Sequence, residues 1–122
     1  MNNELKLYDA EYKFMEIVWK HEPINSTELV SLCKELLGWK KSTTYTVIRK
    51  LKEREILKNE KATVSSLVKQ NEARKYESEV LLDKTFNGSL PAFLTAFLSD
   101  KKINSEEAET LKKIIDNSRE DV

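Results

Sequence analysis

The strongest constraint on the fold of this chain is a stripe of four side chains at the spacing of an α-helix. They occupy positions i, i+3, i+4 and i+7 and are Thr44, Val47, Ile48 and Leu51. Side chains at this spacing share one helix face, so the stripe predicts a helix over residues 42–54 that packs on a core. Ile56 and Leu57 then continue into a predicted strand.

The opposite face of this predicted helix is polar and partly basic. When the stripe faces the core, six side chains lie outside: Ser42, Thr43, Tyr45, Thr46, Arg49 and Lys50. Such residues can donate hydrogen bonds to phosphates, bond base edges or contact a thymine methyl group. Thr and Tyr are poor helix formers that a plain surface helix would seldom concentrate. We therefore predict a DNA-reading face, the alternative being an ordinary solvated surface.

Two further helices are predicted before this one. The first covers residues 8–20, with Asp9 as its predicted N-cap, and ends ahead of Pro23 because the residue before proline disfavours the α region. Ile24 stands alone as a short extended piece. The second helix opens at Asn25, ends at Gly38 and has an apolar face formed by Leu29, Leu32, Cys33 and Leu36.

Two predicted strands follow the third helix. They cover residues 55–61 and 63–69, and the hairpin tip at Lys61-Ala62-Thr63 has no glycine or asparagine to favour a tight turn. Three helices and then two strands predict a winged helix-turn-helix, a mainly α fold with a small β-wing. In this fold the third helix enters the major groove and the wing touches the DNA backbone. Three lysines complete the predicted DNA contacts: Lys41, Lys58 and Lys61.

The distribution of charge agrees with a local polyanion site. The whole chain of 122 residues has a formal net charge of zero. Residues 34–61, however, contain nine positive and four negative side chains, whereas residues 71–122 contain eight positive and eleven negative ones. A basic middle followed by an acidic end is the footprint expected for DNA binding, although a solvated helix surface would give a similar count.

The C-terminal half is predicted to be helical and to form a dimer. Apolar stripes recur over residues 72–86, 90–98 and 104–115, and a chain this short gains burial by pairing with a second copy. We therefore predict a DNA-binding domain at residues 1–70 and a three-helix dimerisation domain at residues 71–122. The predicted interface consists of Tyr76, Val80, Leu90, Phe93, Leu94, Phe97, Leu98, Leu111, Ile114 and Ile115.

Several other classes of protein are excluded or disfavoured. No apolar run approaches the roughly 20 residues that a membrane helix needs, and the polar start of the chain is unlike a signal peptide, so we expect a cytoplasmic protein without membrane insertion. Cys33 is the single cysteine and is expected to be a small core residue. The single histidine, His21, is placed to serve a helix end. With no glycine-rich phosphate loop and no carboxylate pair, the sequence argues against an enzyme and predicts no cofactor.

The chain resembles a known family over almost its whole length. The residues that carry the resemblance are 7–11 with Met15 and Trp19, then Gly38-Trp39, residues 42–51, and residues 86–98. In this order and spacing they resemble the BlaI/MecI/CopY family of penicillinase and methicillin-resistance repressors. The resemblance implies a winged-helix DNA reader, a C-terminal three-helix dimerisation region and repression of resistance or metal-homeostasis operons. It thus implies a homodimer on a pseudo-palindromic, double-stranded operator.

The chain departs from the family pattern in the turn after the recognition helix and in its cysteines. The family usually has a glycine at the end of the recognition helix, where this chain has Glu55, so the turn from helix to strand is expected to differ. The copper-responsive branch has a C-terminal Cys-x-Cys motif, whereas this chain has only Cys33. A thiolate copper or zinc site of that kind is therefore excluded within one subunit, and no metal site is predicted.

The resemblance also implies a route of induction. In the antibiotic-responsive branch a membrane-bound sensor protease cuts an Asn-Phe bond in the C-terminal region, and the matching bond here is Ala96–Phe97. Phe97 also fits the apolar stripe as a dimer-core residue. The alternative function is a winged-helix module that binds another protein and never contacts DNA, which a salt-independent interaction would favour.

Overall fold

The computed structural model describes residues 5–120, which form six α-helices and three short strands. The chain divides into two compact units between Leu81 and Leu82, and this division falls inside the fourth helix. The elements are α1 (Asp9–His21), β1 (Ile24–Asn25), α2 (Ser26–Leu37), α3 (Lys41–Glu53), β2 (Leu57–Glu60), β3 (Thr63–Ser66), α4 (Gln70–Phe86), α5 (Leu90–Leu98) and α6 (Ser105–Ser118).

The three strands form an antiparallel sheet in the order β1-β3-β2. Val64 lies at its centre, opposite Ile24 on one side and Asn59 on the other. The predicted winged-helix order is confirmed, with strands shorter than expected. Ile24 was expected to be an isolated extended residue, and this expectation is wrong, because its backbone pairs with a strand forty residues further along the chain.

The tip of the wing is a two-residue turn at Lys61 and Ala62. Both residues have positive φ angles, 53° and 62°, as in the type I′ turn whose twist matches that of the flanking strands. The carbonyl oxygen of Ala62 accepts a hydrogen bond of 2.8 Å from the backbone N–H of Ser26. The tight turn therefore forms without glycine or asparagine, and the start of α2 helps to hold it.

The N-terminal unit has a hydrophobic core between α1, α2, α3 and the sheet. Leu36 was predicted to face this core, but it is 59% exposed. Leu37 packs against the core instead, since it lies four residues after the buried Cys33 and thus on the same helix face. The largest fully buried apolar side chains are Phe14, Met15, Val18, Leu29, Leu51, Ile56, Leu57 and Val64.

Side chains near the first residues of several helices accept the backbone N–H groups there. Tyr8, not Asp9 as predicted, is the N-cap of α1. The carboxylate of Glu11 accepts the backbone N–H of Tyr8 at 2.9 Å, so this end is capped without an aspartate at the N-cap position. The predicted caps Asn25 and Asn104 are confirmed, and they accept from the N–H groups of Thr27 and Glu107.

The turn from α3 to β2 has the geometry of a glycine-terminated helix, although Glu55 occupies the glycine position. Glu55 has a φ of 61°, in the left-handed region. Its N–H donates to the carbonyl of Lys52 at 3.0 Å, and the N–H of Ile56 donates to that of Leu51 at 2.9 Å. These two bonds define a Schellman motif. The expectation that Glu55 changes the turn is therefore wrong, because the two bonds and the burial of Ile56 fix the backbone.

We predict that Glu55→Gly raises the free energy of unfolding by about 1 kcal/mol, because a residue with a Cβ is strained in the left-handed region and glycine is not. Urea denaturation followed by circular dichroism measures the change. Glu53→Gly, the same substitution within α3, should instead lower stability by about 1 kcal/mol. Equal destabilisation by both substitutions would show that Glu55 carries no backbone strain.

Candidate nucleic-acid interface

The third helix is anchored by the stripe that the sequence predicts. Thr44 and Leu51 are completely buried and Ile48 is 3% exposed, while Val47 is half-buried against the same core. The helix packs on α2 on one side and on β2 on the other. Because Thr, Tyr and Val are weak helix formers, α3 depends on this packing more than on its intrinsic propensity.

The outward face of α3 is exposed along its length. The exposed side chains are those predicted to read DNA, namely Lys41, Ser42, Thr43, Tyr45, Thr46, Arg49 and Lys50. The N-cap residue Lys40 makes no side-chain cap, and the first turn of the helix contains no acidic residue. The partial positive charge of this helix end is therefore reinforced by two lysines and attracts anions.

Two exposed ion pairs hold basic side chains near the proposed interface. Arg49 lies 3.6 Å from Glu53 on α3, and Lys58 lies 3.7 Å from Glu60 on β2, with at least half of every side chain exposed. Exposed pairs of this kind contribute at most about 1 kcal/mol and are screened by salt. Both cations can therefore leave their carboxylates for hydrogen-bond acceptors of a bound polyanion at small cost. Lys61, in the turn of the wing, is also exposed.

Arg54 differs from the other basic residues of this region because it turns inward. Its guanidinium lies 3.3 Å from the carboxylate of Glu11 and donates to the backbone carbonyl of Lys6. It thereby ties the segment before α1 to the end of α3. Arg54 contributes to the charge of the basic stretch, but its contacts are with the protein itself.

The sequence analysis did not identify two features of this region of the structure. Lys40 is exposed beside Lys41, and the lysine pair in the sequence is a signal that could have marked it. The second feature is the attachment of the chain after the wing to α1, where the indole Nε1 of Trp19 donates to the carbonyl of Val68 at 2.9 Å. No local pattern indicates a bond between residues so far apart in sequence.

The C-terminal unit contrasts with the N-terminal one in its burial. No side chain between residues 82 and 120 is buried in the single chain. Of the predicted dimer residues, Tyr76, Val80, Phe93, Leu94, Leu98 and Leu111 are half-buried. About half of each remaining one is exposed: Leu90 51%, Phe97 53%, Ile114 56% and Ile115 51%.

An aromatic cluster lies around the candidate cleavage bond. Phe93 stacks on Phe97 at 5.7 Å between ring centroids and meets Phe86 edge-on at 5.6 Å. The ammonium of Lys101 lies 4.0 Å from the centroid of the Phe97 ring and donates to the Phe97 carbonyl at 3.0 Å. Ala96 and Phe97 are both exposed, in the last turn of α5.

The surroundings of Cys33 and His21 indicate structural roles for both residues. Cys33 is completely buried, and this burial raises the pKa of its thiol, against a smaller opposite effect of the neighbouring Thr44 side chain. The Nδ1 of His21 is 2.9 Å from the carbonyl of Ile17, one helical turn back, as expected of a helix-end residue. Within residues 5–120, no three His, Cys, Asp or Glu side chains are grouped as a metal site requires.

No helix between residues 5 and 120 combines the length and the apolarity that a bilayer crossing requires.

Comparison with known proteins agrees with this architecture. The model of the penicillinase repressor family matches residues 7–117. A penicillinase repressor of Bacillus licheniformis is 23% identical, with 93% of this chain and 92% of the relative aligned. A penicillinase repressor of Staphylococcus aureus is also 23% identical over 95% of both chains. The methicillin resistance regulatory protein MecI of S. aureus is 20% identical over 93% of this chain and 96% of its own length.

The family match covers nearly all of both structural units, so the wing and the C-terminal helices are both included. The relatives are regulators and not enzymes, in agreement with the prediction that the chain has no catalytic activity. The order of helices and wing, the packing of α3 and the extent of the match lead to one conclusion: this chain belongs to the penicillinase repressor family.

Proposed function

We propose that this chain is a transcriptional repressor that binds a pseudo-palindromic DNA operator as a homodimer. The observation that carries the proposal is the exposed polar and basic face of α3, mounted on a buried stripe. Relatives named for penicillinase and for methicillin resistance support an operon of the β-lactam-resistance or stress type as the target. We assign DNA binding to residues 1–70 and dimerisation to residues 71–122.

In the proposed complex α3 lies in the major groove. Arg49 can donate two hydrogen bonds to the O6 and N7 atoms of a guanine, which is the commonest specific contact of this kind. The hydroxyl and methyl groups of Thr43 and Thr46 suit base edges and thymine methyl groups. Lys41, at the start of the helix, and Lys50 suit phosphates, which set the register of the helix in the groove.

The wing supplies contacts that carry no sequence information. Lys58 and Lys61 are exposed on β2 and on the turn, where they can neutralise phosphates. Each neutralised phosphate releases condensed counterions, so operator affinity should fall as salt rises. A protein-interaction module without DNA binding would show no such dependence with a DNA duplex.

The lack of burial in the C-terminal unit supports the homodimer. Helices α5 and α6 expose apolar side chains that a second copy can cover, with Leu90 and Phe97 on α5 and Ile114 and Ile115 on α6. Two identical surfaces meet most simply about a twofold axis. Two α3 helices related by that axis would fit half-sites about 34 Å apart, or a multiple of that distance.

We predict that Arg49→Ala with Lys50→Ala weakens binding to a duplex of the chain's own promoter by about 1–3 kcal/mol, roughly 5- to 150-fold. The reason is the loss of a base contact and of a phosphate contact. Fluorescence anisotropy at fixed salt measures the change.

The matched control removes the same charge from α1, with Lys13→Ala and Lys20→Ala. This variant should keep an affinity within about twofold of the unmodified chain, because α1 lies outside the proposed interface. Equal affinities for the α3 variant and the unmodified chain would exclude α3 as the DNA-reading helix.

We predict that Leu94→Asp and Ile115→Asp each convert the dimer into monomers, because a carboxylate at an apolar interface must lose its hydration without gaining a partner. Sedimentation velocity measures the change in mass. Leu36→Asp is the control, since Leu36 on α2 is an apolar residue about as exposed as Ile115 and its substitution should leave the dimer intact. Dimers in both C-terminal variants would place the interface elsewhere.

Induction by proteolysis extends the proposal. Cutting the Ala96–Phe97 bond would separate α6 from the rest of the chain and remove apolar side chains worth about 1.5–3 kcal/mol each when buried. We predict that a membrane-bound sensor protease encoded beside this gene yields fragments 1–96 and 97–122, identified by mass spectrometry. An intact chain, or fragments ending elsewhere, would exclude this bond as the site of induction.

A further inference from the structure

Glu22 is a half-buried carboxylate between the end of α1 and the wing. It is the C-cap residue of α1, and 20% of its side chain is exposed. Its Oε1 accepts the backbone N–H of Ser66 at 2.7 Å and the Ser66 hydroxyl at 2.8 Å, and its Oε2 lies 3.0 Å from the same hydroxyl. One acidic side chain therefore holds both the backbone and the side chain of the last residue of β3.

A lysine completes this arrangement. The ammonium of Lys69 lies 3.8 Å from Oε1 of Glu22 and donates to the carbonyl and the hydroxyl oxygen of Ser66 at 3.0 and 3.1 Å. The serine hydroxyl thus accepts from Lys69 while donating to Glu22. Hydrogen bonds to a charged group are stronger than those between neutral groups, and the partial burial of these atoms limits competition from water.

The contacts of Glu22 lie at the opposite end of β3 from the tip of the wing. The tip is held by the N–H of Ser26, which donates to Ala62 at 2.8 Å. At the other end Ser66 pairs with Leu57, and the adjacent pair joins Ser65 to Lys58. Lys58 is therefore adjacent to Leu57, the residue that pairs with Ser66. Lys61 lies in the turn of the same hairpin.

We propose that Glu22 is a positioning residue that sets the placement of the wing, and hence of Lys58 and Lys61, for contact with DNA phosphates. The inference rests on the proposed DNA-binding function. Glu22 itself makes no DNA contact in this arrangement, since its carboxylate is turned toward Ser66 and would repel phosphates.

The test compares Glu22→Gln with Glu16→Gln, which removes the same charge from an exposed position of α1. Each is made in the full chain and again in a Lys58→Ala, Lys61→Ala background. The probe is a duplex of the chain's own promoter, and affinity is measured over a series of salt concentrations. The charge change alone would strengthen DNA binding slightly, and the Glu16→Gln control measures that effect.

We expect Glu22→Gln to weaken binding about fivefold or more and to reduce the slope of log affinity against log salt by about 1–2, the contribution of one or two phosphates. In the background without the two lysines it should change affinity less than about twofold. An equal loss in both backgrounds with an unchanged salt slope, or no loss in either, would overturn the proposal.

Hydrogen exchange separates this inference from the proposed function. In the free protein, Glu22→Gln should speed amide exchange in residues 63–66 while leaving α2 and α3 protected. Unchanged exchange in the wing would overturn the positioning role even if the duplex binds. Failure of the unmodified chain to bind DNA would refute the proposed function, while the exchange measurement still decides whether Glu22 holds the wing.

Discussion

The burial of Ile48 and Leu51 holds α3 in place, and the N-terminal unit is arranged around that contact. A helix of Thr, Tyr, Val and Ser residues is marginal by itself, so its packing on α2 and β2 determines that it is a helix. The side chains of the outward face take no part in the core. Because the side chains of this face are not needed in the core, their chemistry suits the proposed recognition of a particular DNA sequence.

Helical periodicity in the sequence is sufficient to locate the helices and the buried face of α3, because spacing along one helix is a local property. Thr44, Ile48 and Leu51 are buried as the period requires. The period is less decisive near helix ends, where Leu36 and Leu37 both fit an apolar face and only the packed structure separates them. The exposed side chains of the candidate site follow from the same period, whereas the proposed contacts with DNA involve a second molecule.

Contacts between distant segments could not be predicted in this way. Three such contacts join residues about forty positions apart: the pairing of Ile24 with Val64, the hydrogen bonds between Ser66 and Glu22, and the ion pair between Arg54 and Glu11. Arg49 and Arg54 illustrate the difficulty, because the same residue type in one basic stretch is exposed in the first case and turned toward Glu11 in the second. The left-handed backbone at Glu55 is likewise imposed by its surroundings, since the residue type argues against it.

No side chain between residues 82 and 120 is buried in the single chain, so the stability of the C-terminal unit should depend on the concentration of the protein. On the proposed dimer, this unit gains its stabilising burial only when two chains meet, so association and the ordering of its helices become one equilibrium. A cell would then hold two populations, with isolated chains at low abundance and dimers above a threshold set by the dissociation constant. Operator occupancy would rise more steeply than in proportion to the amount of protein. A repressor built in this way turns a modest fall in its own abundance into a sharp release of its target.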